Sequence, residues 1–277
     1  MKTIKIQYII LSLIAAFLFS CKGDEPTLSS PLDGLVKLNE GYAAGASAKI
    51  QIWGQKNYFS GYNKLIAVVY DSLNPSKRIT DAHIHFNPVM TMTSGMMTMT
   101  HSAPIENPDE EAVNDVFPGA VVFIMPSTST GTWKLNVAIH NHKYDKKGTA
   151  SFDIVVDNPT QSVMKSFTSQ SADSTKLFVS MVQPASPKVG INDIEFTIHR
   201  KETMMSFPAD TTYTVEITPE MPSMGHGSPN NVNPTSTGKG HYKGKVNFTM
   251  TGEWKINVAI KKGGSTVSNG LYYMLNF

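Results

Sequence analysis

The sequence predicts an all-β protein of two tandem β-sandwich domains, and three observations carry that expectation. Apolar or alternating segments of strand length recur along the chain, separated by Gly, Pro, Asn and Ser. No segment sustains an apolar stripe at the 3.6-residue period of a helix. The third observation is an internal repeat: "TGTWKLNVAI" (130–139) and "TGEWKINVAI" (251–260) agree at eight of ten positions. Short strands with turn signals between them indicate an immunoglobulin-like sandwich, here lacking the disulfide because the chain holds one cysteine.

Residues 1–20 are expected to be a signal peptide rather than part of the fold. Lys2 and Lys5 precede an apolar run from Ile9 to Phe19 that is short for a membrane span. "LFSC" follows and resembles a bacterial lipobox, which implies cleavage before Cys21 and lipidation of that residue. A lipidated Cys21 leaves no thiol for a disulfide, a metal or a nucleophile, so any soft ligand has to be methionine. Residues 21–34 are polar with Pro and Ser, as suits a tether. Asp24 and Glu25 behind the cysteine resemble the sorting context of Bacteroidota lipoproteins, which places the protein at the outer membrane, periplasmic or surface-exposed.

Removing a signal that holds Lys2 and Lys5 leaves 22 basic residues against 22 acidic ones. That balance gives no electrostatic basis for binding nucleic acid.

The first sandwich is expected over residues 35–156, with strands such as "KIQIW", "LIAVVY", "AHIHF", "AVVFI" and "WKLNVAIH". Residues 157–174 are polar, contain a proline and suit a linker. The second sandwich, 175–277, repeats the first in order: "GYNKLIAVVYD" (61–71) parallels "GINDIEFTIHR" (190–200), and "FNPVM" (86–90) parallels "ITPEM" (217–221). "GAVVFIM" (119–125) likewise parallels "GKVNFTM" (244–250). Trp133 and Trp254 open the repeated strand and are expected to pack the two cores. Met125 and Met250 hold equivalent places, which favours core roles for both.

One stretch of the first unit is unusual. "MTMTSGMMTMTH" (90–101) puts five of the fifteen methionines into twelve residues. With Ser94-Gly95 as a two-residue hairpin turn, Met92 pairs with Met97 and Met90 with Met99. Met90, Met92, Met97, Met99 and His101 then share one face, because strand side chains alternate. Thioethers and imidazole suit Cu(I) better than they suit magnesium or calcium. The same methionines also read as an adaptable contact surface or as core filler.

The second unit carries a shorter version, "PEMPSMGHGSP", with Met221, Met224 and His226. Together with "VGIND" and "GKGHYKGKVNFTMTGEWKINV", this segment resembles the FixH/YtkA-like family of bacterial extracytoplasmic domains. The resemblance covers most of the second unit. The first unit departs from it at the methionine loop, which is six residues longer and lacks the proline after the first Met. It implies an immunoglobulin-like sandwich and an association with copper handling outside the cytoplasm. Copper, as Cu(I), is the expected cofactor. The expected partners are the membrane, through the lipid on Cys21, and a protein that donates or receives copper.

Other histidines extend the candidate set. His83 and His85 in "DAHIH" share a strand face shortly before Met90, as added ligands or as solvent-facing positions. The segment resembles the Asp-x-His-x-His motif of amidohydrolase barrels, but that motif needs a βα-barrel, which the strand pattern excludes. His140 and His142 follow the repeated strand and read as a solvent-facing pair. His241 reads as a turn residue or a further ligand near Met224 and His226. No nucleophile elbow, zinc-protease helix or phosphate-binding glycine loop is present, so the expected class is a binding protein rather than an enzyme. The competing class is a surface lipoprotein that binds a glycan or protein, with "WGQKNYFSGY" (53–62) as its aromatic stretch.

Overall fold

Strand follows strand from Val36 to Asn276, as the alternating pattern predicts. The computed structural model describes residues 30–268 and 270–277. The expected signal peptide (1–20), the expected lipidation site at Cys21 and most of the expected tether lie outside the described residues. Gly34–Phe277 forms one compact unit that holds both sandwiches.

The first sandwich comprises β1 (Val36–Ala43), β2 (Ala48–Gly54), β3 (Gly61–Asp71), β4 (Asn74–Arg78), β5 (Ala82–Ser94), β6 (Met97–His101), β7 (Ile105–Glu106), β8 (Phe117–Phe123), β9 (Gly131–Asn141) and β10 (Lys146–Ile154). One sheet runs β1-β2-β3-β8-β7 with β4 on β3, and the other runs β10-β9-β5-β6. The second sandwich comprises β11 (Met164–Thr168), β12 (Lys176–Gln183), β13 (Gly190–Arg200), β14 (Thr214–Met221), β15 (His226–Gly227), β16 (Val232–Gly238), β17 (His241–Phe248), β18 (Glu253–Lys262), β19 (Ser265–Thr266) and β20 (Tyr272–Asn276). Its sheets run β11-β12-β13-β17-β16 and β15-β14-β18, with β19 and β20 on β18. The strand orders of the two sandwiches therefore correspond, β20 standing for β10.

That correspondence corrects the linker. Met164–Thr168, inside the segment 157–174, is strand β11, the counterpart of β1 at the sheet edge. An edge strand pairs through its backbone, so Lys165, Ser166 and Thr168 can sit there without an apolar pattern to mark them. Met164 and Phe167 bury instead against neighbouring strands.

Each core packs around its repeated tryptophan, Trp133 at 1% and Trp254 at 0% exposure. Phe123 meets Trp133 edge-on at 5.1 Å between ring centroids, and Phe248 takes the same place beside Trp254 at 5.3 Å. The Gly-x-Asn opening of β3 and β13 is also reproduced. Asn63 donates to the carbonyls of Phe59 and Gly61, and Asn192 to those of Lys188 and Gly190. Gly61 and Gly190 both take positive φ, which explains the glycine there.

In the stretch 53–62, Trp53, Phe59 and Tyr62 are half-buried, while Gln55, Lys56 and Asn57 are exposed. Tyr58 is buried and donates to Asn39, and Tyr62 donates to Glu106.

The sandwiches meet through Val122, Tyr62 and Ile124 on one side and Met164, Phe178 and Phe207 on the other. The amide of Tyr62 donates to Ser180 Oγ, and that of Ser102 to the carbonyl of Met204. His241 on β17 closes the junction, with Nδ1 2.6 Å from Glu195 and Nε2 2.8 Å from Glu106 of the first sandwich.

Candidate metal centre

Strand parity sorts the candidate ligands. Along β5, Ala82, Ile84, Phe86 and Met90 are buried while His83, His85 and Asn87 are exposed. His83 and His85 therefore face away from Met90, and the alternation of a strand keeps them from joining its site.

The hairpin turns one residue later than the sequence suggests. Ser94 pairs with Met97, Met92 with Met99 and Met90 with His101, so Gly95-Met96 forms the turn. Gly95 has φ +59°, the positive value that a type II′ turn needs at its first central position. Moving the turn by one residue slides each cross-strand partner by two. Faces are unchanged, while partners differ. Met90, Met92, Met97, Met99 and His101 do share a face, but they do not converge on one point. Met90 is buried, Met92 is half-buried, and Met97 and Met99 are exposed at the projecting tip. Met97 and His101 stand four residues apart on one strand, about 13 Å at a strand's rise per residue.

His101 is held firmly at the base of the hairpin. It is 6% exposed and lies edge-on to Trp133 at 5.3 Å between ring centroids. Its Nδ1 is 2.8 Å from the carbonyl of Ser102. A carbonyl only accepts, so Nδ1 donates to it and Nε2 is the nitrogen left for another partner. Nε2 lies 3.2 Å from the sulfur of Met125, itself a Lewis base. A proton on Nε2 or a soft cation satisfies such a pair. Fixing one ring nitrogen on a backbone carbonyl is how proteins orient an imidazole that ligates through the other. Met125 is in turn held by its own carbonyl, which accepts from Trp133 Nε1 at 3.0 Å. Met90, opposite His101, completes the floor, its Cε seated over Gly131.

By its place in the repeat, Met125 reads as a core residue. Its half-buried side chain does pack on the core, yet its sulfur lies 3.2 Å from His101 Nε2. The only sequence signal was its place in the repeat ahead of Trp133.

The second sandwich repeats the frame. Met221 pairs with His226, whose Nδ1 is 2.9 Å from the carbonyl of Gly227 and whose ring meets Trp254 at 5.8 Å. Trp254 Nε1 donates to the carbonyl of Met250, and Met221 sits beside Gly252 as Met90 sits over Gly131. Met221 is buried at 2%, whereas Met224 is 60% exposed in the turn and Met250 is 37% exposed. His226 is half-buried.

His241 does not approach this loop. It lies on β17, in the sheet opposite β15, and both ring nitrogens face carboxylates. Burial pushes its pKa down, but the bonds to Glu106 and Glu195 outweigh that and raise it to about 9. A ring protonated on both nitrogens has no lone pair for a metal.

On the outer face of the first sandwich, His83 on β5 pairs directly with His140 on β9, and His142 follows on the same face. The three rings meet edge-on, and one nitrogen of each lies within 4.8 Å of the others. His85 stands apart, its Nδ1 accepting from Asn107 at 2.7 Å. From sequence alone, His140 and His142 read as a solvent-facing pair. The two His-x-His segments give the signal, but it becomes legible only with the β5–β9 register.

Comparison with known proteins fits this geometry. Residues 171–259 match the YtkA-like family. That match falls within the second half of the chain. The matched span includes Met221, Met224, His226 and Trp254, and the first sandwich lies outside it while sharing its strand order. No curated protein matches the chain. Among solved structures, domains 5–6 of the S-layer protein SbsC are similar at 11% identity, over 85% of this chain and 97% of that one. Their TM-score is 0.27, too distant a likeness to build on.

Proposed function

We propose that this is a lipid-anchored, extracytoplasmic protein that binds a soft metal ion, Cu(I) above others, and buffers it or passes it to a partner. One observation carries the reading: Nε2 of His101, on a ring fixed through Nδ1, lies 3.2 Å from the thioether sulfur of Met125. Imidazole and thioether donors without thiolate suit Cu(I). The equivalent frame around His226, inside the YtkA-like match, supports a second position of the same kind. The anchor rests on the lipobox-like segment before Cys21.

Anaerobic Cu(I) titration against a competing chelator tests it. The full chain should take up Cu(I), and His101→Ala should lose the tighter uptake. A parent that leaves all the copper on the chelator would sink the reading.

A second reading follows from Met96, Met97 and Met99, which are 104%, 70% and 52% exposed. Exposed methionines adapt to varied apolar partners, so the hairpin tip also suits a protein-docking surface. Under the first reading, that partner is the natural donor or recipient of copper.

A further inference from the structure

We infer that His83, His140 and His142 form a second metal site, on the outer face of the first sandwich, for a borderline divalent cation such as Zn(II) or Cu(II). The inference is independent of the Cu(I) site, which lies on the opposite face of β5. Two side chains from paired strands and one from the turn after β9 already converge, with one nitrogen of each within 4.8 Å of the others. Tetrahedral ligands at the usual zinc–nitrogen distance stand about 3.3 Å apart, so small rotations of the rings close the site.

Each ring is oriented through one of its nitrogens. His140 Nε2 is 2.7 Å from Asp145, His142 Nδ1 is 2.5 Å from Asp81, and His83 Nε2 contacts Glu110. A carboxylate accepts, so each contacted nitrogen donates to it, and a metal would take the other nitrogen of each ring. Carboxylate–histidine pairs of this kind orient and strengthen metal-bound imidazoles. The donor set has no sulfur, which directs it toward Zn(II) and Cu(II) rather than Cu(I). His83 is half-exposed, which leaves an entry path and room for water as a fourth ligand.

The site belongs to the first sandwich alone. At the positions of the His83–His140 pair, the second sandwich has Thr214 opposite Lys261. No ligand pair survives there, so the histidines are not a residue of the shared frame.

The test is competitive titration of the full chain with Zn2+ against a chromophoric chelator, beside H83Q/H142Q. These side chains face outward, and thermal denaturation checks that the variant folds. The parent should bind one equivalent more than the variant. Cu2+ should bind the parent more tightly than Zn2+, in the usual order for nitrogen sites. D81N or D145N should weaken Zn2+ binding by about 10- to 100-fold. Anaerobic Cu(I) uptake should be equal in the parent and H83Q/H142Q, which separates this site from that of His101. Equal Zn2+ uptake by parent and double variant, or none by either, overturns the proposal.

Discussion

The Nε2 of His101 and the sulfur of Met125 lie 3.2 Å apart, though 24 residues separate them in the chain. Met125→Leu keeps the apolar volume and removes the sulfur. Volume-conserving swaps cost under about 1.5 kcal/mol, so the protein should stay folded. Cu(I) affinity should fall by about tenfold or more, a loss of about 1.4 kcal/mol. Chelator competition reads the difference, and Met97→Leu at the exposed tip should leave the affinity of the His101 site unchanged.

Gly131 tests the floor of the same pocket. A Cβ there would stand 2.4 Å from Met90 Cε and 3.0 Å from Thr128 Oγ1. Gly131→Ala should displace Met90 and cost about 1–3 kcal/mol in urea denaturation, the range for overpacked cores. Loss of stability without loss of Cu(I) uptake would show that Met90 serves packing alone.

The junction histidines set opposite pH limits on stability. His241 is raised to about 9 from an ordinary 6.5, by bonds to Glu106 and Glu195 that outweigh its burial. Its stabilisation is complete below 6.5 and is lost as pH rises through 9. His199 is buried and its pKa is lowered to about 4, so the unfolded chain binds the proton more readily between 4 and 6.5. Stability from that residue falls as pH drops through this window. For this pair, stability should peak near pH 6.5 in thermal melts. His241→Ala leaves Glu106 with Tyr62 and Glu195 with Lys243 but removes the charge between them, and should cost up to about 3 kcal/mol. It should also flatten the decline above pH 6.5.

Cys21→Ala tests the anchor. The variant should leave the membrane fraction and appear in the soluble extract. If it stays with membranes through a salt wash, something other than a lipid on Cys21 holds it there.

Much of the fold was legible because its signals are local. Alternation marked β2, β3, β5 and β9, and the repeat identified Trp133 and Trp254 as the two core anchors. The shared face of Met90, Met92, Met97, Met99 and His101 followed from parity, which survived a wrong turn position. Partners did not, because they depend on which dipeptide turns, and that is set by the backbone angle at Gly95. Strand β11 was hidden because an edge strand needs little apolar sequence. Met125 was hidden because a half-buried thioether reads as core whether or not its sulfur faces an imidazole. His83 and His140 were visible as residues, but only strand register brings them opposite each other.

The seven-residue spacing from His83 to Met90 carries a further consequence. An odd spacing puts them on opposite faces of β5, and seven strand residues span about 23 Å. No rotamer change brings ligands from one face to ions on the other, since Phe86 and its buried neighbours fill the interior. Occupancy on one face should therefore leave affinity on the other unaltered. Two cations loaded together should titrate as a simple sum, with a coupling free energy near zero.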